Sequence, residues 1–173
     1  MDQPSLDERT LYDTDFLTWT EEQAAALRAL AGRRDLPNTL DLENVIEEIE
    51  ALGRYELKSV TSPIRLILEH LLKIAFDPDS DAQRHWRGEI ITWHADVREE
   101  LVPSMHRKIE LDVLWRYAAR RARGPLQARA ISLPRWLPES CPFTLHDFLA
   151  SEFDIDGAVA RLSEPLTAPP PEA

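Results

Sequence analysis

The chain has 173 residues, long enough for one domain of ordinary size and too short for two full ones, and its 43% apolar share with five Trp, five Phe and three Tyr excludes intrinsic disorder for the middle. A net charge of -11 repels phosphate backbones and anionic membranes over most of the surface, so neither nucleic acid nor a membrane is an expected partner. A single cysteine, Cys141, excludes an internal disulfide, and neither a membrane-length apolar run nor a signal-peptide pattern at Met1-Asp2-Gln3-Pro4 is present, so a soluble cytoplasmic protein is expected.

Residues 1–10 carry no periodicity and read as a flexible tail. The first helix is predicted to start at Asp13 as a cap, with Tyr12 and Leu17 as a hydrophobic staple, and to stop at Gly32. Its inward stripe is Phe16, Trp19, Gln23, Leu27, Leu30 and Ala31. A second start falls at Asp41, with Leu40 and Val45 as the staple. From Leu42 to Ala75 the apolar positions keep one phase across Pro63, which predicts one long helix, bent there, although an internal proline costs about 3 kcal/mol. A third helix is predicted over Asp81 to Leu101. A fourth runs from Pro103 to about Arg123, with apolar strips on two sides, and Gly124-Pro125 stops it. Leu126 to Pro142 reads as an extended strap carrying Trp136, packed against the helices. A short helix starts at Thr144, capped by Asp147 and stapled by Phe143 and Phe148. The ordered part, 11–156, gives way to an Ala/Pro-rich tail over 157–173. The fold class is therefore all-α, a single-domain helical bundle of about four main helices. Its predicted core holds Phe16, Leu27, Ile46, Ile49, Leu52, Ile67, Leu71, Trp86, Ile90, Trp93 and Trp115.

Four blocks occur in order: Tyr12-x-x-Asp15-Phe16-x-x-Trp19; Asp41-Leu42-x-x-Val45-Ile46-Glu47-Glu48-Ile49-Glu50-x-Leu52-Gly53-Arg54-x-Glu56; Leu68-x-His70-Leu71-Leu72-Lys73; and Cys141-Pro142-Phe143-Thr144-Leu145. The set resembles the bacterial family known as domain of unknown function 29, over about residues 12 to 153. The resemblance implies an all-helical fold of the same length in a bacterial, cytoplasmic setting, and it implies no activity. Pro63 departs from the family's pattern of uninterrupted helix.

Candidate chemistry is sparse. Glu43, Glu47 and Glu50 with Arg54 read as a solvated helix face. Glu56 falls inside the apolar sector, where an acid must find a cation, hydrogen bonds or a proton, so it is a candidate buried ion pair or a catalytic base. Candidate partners are Arg87, the Trp86 or Trp93 indole, and a fourth-helix guanidinium. His70 is a second candidate base. His85 and Glu89, four apart, are candidate metal ligands if His70 or Glu56 joins them. Cys141 has no charged partner in sequence and reads as a packing residue. No cofactor motif is present. From Val102 to Arg135 eight cations face only Glu110 and Asp112, a local +6 that leaves -17 for the rest of the chain. Arg116, Arg120, Arg121, Arg123, Arg129 and Arg135 form the candidate interaction patch. The expected function is a non-enzymatic protein-interaction or regulatory module. The alternatives are a metal-dependent or acid-base enzyme using Glu56, His70, His85 and Glu89, and a nucleic-acid-associated regulator.

Overall fold

The computed structural model describes residues 10–33 and 35–163, so most of the two expected tails lies outside the described residues. All of the regular structure described is helical. Where the sequence predicts one helical domain over 11–156, the chain gathers into two compact units. The first takes the described residues of Met1–Ser59 with Val102–Ile109, and the second those of Val60–Leu101 with Glu110–Ala173.

In the first unit α1 (Leu11–Thr14) is followed at once by α2 (Phe16–Leu30). The helix start expected at Asp13 is displaced on both sides. Thr10 caps α1, with Asp13 closing its capping box, and the Asp15 carboxylate accepts from the Thr18 amide at 3.0 Å to cap α2. Asp15 also accepts from Ser104 Oγ at 2.8 Å, fixing the short 3-10 turn Pro103–Arg107 in this unit. That turn replaces the beginning expected for the fourth helix. The buried stripe of α2 is Leu17, Thr20 and Ala24, one position from the predicted one; Phe16 and Leu27 are half-buried on its flank. The aromatic rings of Tyr12, Phe16 and Trp19 pack on each other instead, with centroids 4.8 to 5.3 Å apart. Gly53 is buried because Thr20 occupies the place of a side chain: a Cβ there would lie 2.5 Å from Thr20 Oγ1.

Helix α3 runs unbroken from Leu42 to Phe76 with Pro63 inside it, as the conserved phase of its apolar positions predicts. Asp41 caps it, accepting from the Asn44 amide at 3.2 Å. The hydrogen bond that proline removes is offset by burial on both sides of it, where Val60, Ile64 and Ile67 are wholly covered.

The second unit contains the later turns of α3, then α4 (Gln83–Glu100), α5 (Leu111–Ala128), α6 (Leu145–Leu149) and α7 (Ile155–Ser163). Its core includes Leu68, Leu71, Leu72, Ile90, Trp115 and Phe148, all fully covered. Helix α5 passes through Gly124-Pro125 instead of stopping there. Pro125 removes a donor only from the carbonyl of the exposed Arg121, and three residues later the helix ends on its own device. The Ala130 and Ile131 amides fold back onto the Gln127 and Leu126 carbonyls, both at 2.9 Å, with Ala130 left-handed at φ 61. The second apolar strip expected on this helix is only partly covered, with Val113 half-buried and Tyr117 exposed.

The strap after α5 is attached but not extended throughout: Trp115 donates its indole N–H to the Pro138 carbonyl at 2.8 Å, while the Leu137 amide donates to the Pro134 carbonyl at 3.3 Å across a turn that leaves Trp136 38% exposed, its ring 6.1 Å from that of Phe76. The Thr144 start is as expected, with Asp147 accepting from the Thr144 amide at 2.7 Å and both Phe143 and Phe148 buried. Residues 157–163, expected as tail, complete α7, which buries Ile155, Ala158 and Leu162. Its short apolar stripe is hidden in sequence by the Ala/Pro-rich composition that follows.

Candidate functional site

The later half of α3 is covered on most of its faces, so the charged residues Glu69 and Lys73 that it carries are buried with it. Glu69, only 5% exposed, is met by Lys73 Nζ at 2.7 Å, by Arg121 Nε at 3.3 Å and by Arg65 at 3.6 Å. Burial pulls its carboxyl up, but the hydrogen bond and charge of Lys73 and the charge of Arg121 outweigh that and hold it below the usual range. Eight residues on, just past the end of α3, the buried Asp77 pairs with Arg129 Nε at 2.6 Å. The buried acids are thus Glu69 and Asp77, not Glu56. Glu56 is half-buried at a turn of α3 where Gly53 is the buried position, and Arg87, one of its candidate partners, pairs with Asp156 at 2.8 Å. The i,i+4 pair Glu69 and Lys73, flanked by leucines and isoleucines on every side, was the signal for this network.

His70 is brought together with both predicted metal candidates. Its Nδ1 lies 3.0 Å from the Leu66 carbonyl, an oxygen that only accepts, so Nδ1 carries a proton. Nε2 lies 3.0 Å from Glu89 Oε2, and His85 Nε2 approaches the same oxygen at 3.4 Å. The Trp93 and Trp86 rings stand edge-on to the imidazole at 4.8 and 6.2 Å, and both tryptophans, expected in the core, are half-buried on its flank. Burial, then Lys73, lowers the His70 pKa, against the opposing Leu66 bond and the Glu89 and Glu69 charges. Among the described residues no group of three His, Cys, Asp or Glu side chains is arranged to hold a metal ion. The arrangement closes the contact between α3 and α4, and the tryptophans cover the ring that would act as a base.

Cys141 lies at the turn before α6, its amide donating to Asp112 Oδ1 at 2.7 Å. Burial pushes its thiol up to about 11, and the Asp112 and Asp147 charges add to that, which suits a packing residue and opposes thiolate formation at neutral pH.

The predicted arginine patch divides. Arg121 and Arg129 are committed to the buried acids Glu69 and Asp77. Arg116, Arg120, Arg123 and Arg135 instead line a groove of about 640 Å³ between α5 and the strap, with Leu133 and Leu137 among its apolar walls. The three helical arginines recur at i, i+4 and i+7, one face of α5, and Arg135 comes from the strap. None of the four makes an ion pair among the described residues, and Arg120 rests over the Tyr117 ring at 5.7 Å. Glu139 is the acid on the same groove. A larger cleft, about 810 Å³, is lined by α4 and residues 151–156, but its cations are occupied: Arg87 holds Asp156, and Arg98 donates to the Ser151 carbonyl at 3.0 Å. His94 also lines that cleft, buried, with its pKa lowered by burial and then by Arg98 against a hydrogen bond to the Phe148 backbone.

The family model described as domain of unknown function 29 matches residues 11–154. The chain belongs to this family. It is also similar to an alpha-helical protein of unknown function from Rhodospirillum rubrum, known from a crystal structure, at 36% identity and a TM-score of 0.77, covering 91% of this chain and all of that one. No curated protein matches the sequence. Family and neighbour agree with the all-α reading and name no activity. No helix among the described residues is long and apolar enough to cross a membrane.

Proposed function

We propose that this member of the family is a non-enzymatic protein-interaction module of the bacterial cytoplasm, which docks an acidic segment of a partner protein in the groove between α5 and the strap. The observation that carries the reading is the division of the arginines: two neutralise buried acids of their own chain, while four line one groove without an ion pair among the described residues. Guanidinium groups left in such a place recognise carboxylates well, because their planar fork matches two oxygens at once. The leucines of the strap add apolar area to a contact that charges alone, screened by salt, would leave weak. Against nucleic acid stands the net charge of -11, which opposes a long phosphate backbone and tolerates a short acidic peptide.

Fluorescence anisotropy with a short labelled Glu/Leu peptide tests this. The protein is expected to bind it, and R116E/R120E to weaken binding by about tenfold or more through loss and reversal of rim charge. Failure of the peptide to bind, or tighter binding of duplex DNA in the same buffer, overturns the reading.

A further inference from the structure

Helix α3 carries a row of acids whose spacing mirrors the arginine row. Glu43, Glu47 and Glu50 recur at i, i+4 and i+7, as Arg116, Arg120 and Arg123 do on α5. At a rise of about 1.5 Å per residue each row spans about 10 Å, so in parallel register every carboxylate meets a guanidinium. The acids rim a groove of about 740 Å³ with Leu42 and Ile46 among its walls. Glu43 and Glu47 are exposed and make no ion pair among the described residues, whereas Glu50 pairs with Arg28. One chain therefore displays two charge rows of opposite sign and equal pitch, each beside an apolar wall, with Glu50 alone of the six already paired among the described residues.

We infer that a second copy of this chain occupies the arginine groove, its Glu43, Glu47 and Glu50 face lying along Arg116, Arg120 and Arg123. The inference rests on the groove being an acid-recognising site. A second copy meets the requirement for an acidic segment with matched spacing and arrives at the concentration of the protein itself. The contact joins two different surfaces, so each copy offers one donor row and one acceptor row. The net charge of -11 on both copies opposes approach, which makes the association weak and dependent on protein concentration.

Sedimentation equilibrium of the full chain, with two charge-reversed variants, decides the matter. All four altered residues are exposed, and circular dichroism checks that each variant keeps its helices. The wild type is expected to gain average mass with concentration. E43R/E47R alone and R116E/R120E alone are each expected to stay monomeric, the first with two basic rows and the second with two acidic ones. An equimolar mixture of the two is expected to associate again, because the reversed rows complement each other. A monomeric wild type at all concentrations, wild-type association undisturbed in both variants, or a mixture that fails to associate overturns the inference. If the wild type is monomeric yet binds the Glu/Leu peptide, self-association falls and the groove reading stands. If the charge-swapped pair associates while the peptide does not bind, the reading of a foreign acidic partner falls and self-recognition stands.

Discussion

The two halves of helix α3 carry similar residues in opposite circumstances. From Leu42 to Ser59 the buried positions are Ile46 and Gly53 alone, and Val45, Leu52 and Tyr55 stand exposed. From Val60 to Phe76 most positions are buried, including Glu69, His70 and Lys73. An acid on the first half is a surface charge available to another molecule. An acid on the second half has to be neutralised by its own chain, because an unpaired buried charge is too costly to keep. Coverage around the helix, not residue type, decides which arginines remain open for recognition.

The sharpest test of that contrast is apolar truncation. Leu71 is fully covered, so Leu71→Ala is expected to cost about 3 to 4 kcal/mol, whereas Leu52, 45% exposed, is expected to cost about 1 kcal/mol or less as Leu52→Ala. Urea unfolding of both variants measures the difference. Equal losses would mean that the first half of α3 is covered in solution by something absent from the isolated chain, and a second copy on this face is the first candidate to examine by repeating the measurement at higher concentration.

Charge removal gives the next effect. Glu69→Gln keeps the shape but leaves Lys73, at 11% side-chain exposure, without its carboxylate, for an expected loss of about 3 kcal/mol. Glu47→Gln, on the exposed face of the first half, is expected to change stability by about 0.5 kcal/mol or less. Thermal melts of the pair check both. A Glu69→Gln protein as stable as the wild type would show that the Lys73 and Arg121 contacts do not compensate a buried charge.

Much of this was legible in the chain. The all-α fold, the continuity of α3 through Pro63, the Thr144 capping box and the buried Ile67, Leu71, Ile90 and Trp115 follow from periodicity and capping chemistry. The misses have physical causes. Leu52 lies in the apolar sector yet is exposed, because a helical wheel gives the centre of such a sector but not its width, which depends on how many neighbours cover it. Gly124-Pro125 is a stop signal in sequence, yet a proline near the end of a helix costs little when the carbonyl it orphans belongs to an exposed residue. Glu56 shares the apolar sector with Leu52 and Val60, but at its level the sector is only partly covered and Leu52 itself is exposed, whereas Glu69 lies where neighbouring elements cover the helix. The arginine cluster was visible as composition. Its division into paired and open members was not, since Glu69 and Asp77 lie 52 residues from each partner.

The smallest expected effect is the dependence of stability on pH, and it separates the halves of α3 once more, because the histidine belongs to the buried half. His70 faces Glu69 and Lys73 from its own helix and Glu89 with His85 from α4, between two tryptophans. Burial and Lys73 lower its pKa from 6.5, and burial and Arg98 lower that of His94. In the unfolded chain both rings take up a proton near pH 6.5, while the folded protein resists doing so. The unfolded state therefore binds more protons just below pH 6.5, and stability falls as the pH is lowered through that window and on through the folded-state pKa values. Above 6.5 both states are neutral at these rings and the contribution is fully present. Glu69, whose carboxyl is lowered from 4.5, begins to lose its own contribution only at more acid pH, so the two effects occupy separate windows. Urea unfolding across pH is expected to show the first decline in the wild type and a shallower one in His70→Gln, with the remainder due to His94. Histidine ring resonances followed by NMR assign each part. A decline that is unchanged in His70→Gln would mean that the ring takes its second proton in the folded state as readily as in the unfolded one, shared across the 3.0 Å contact with Glu89, and that this contact, not burial, sets its charge.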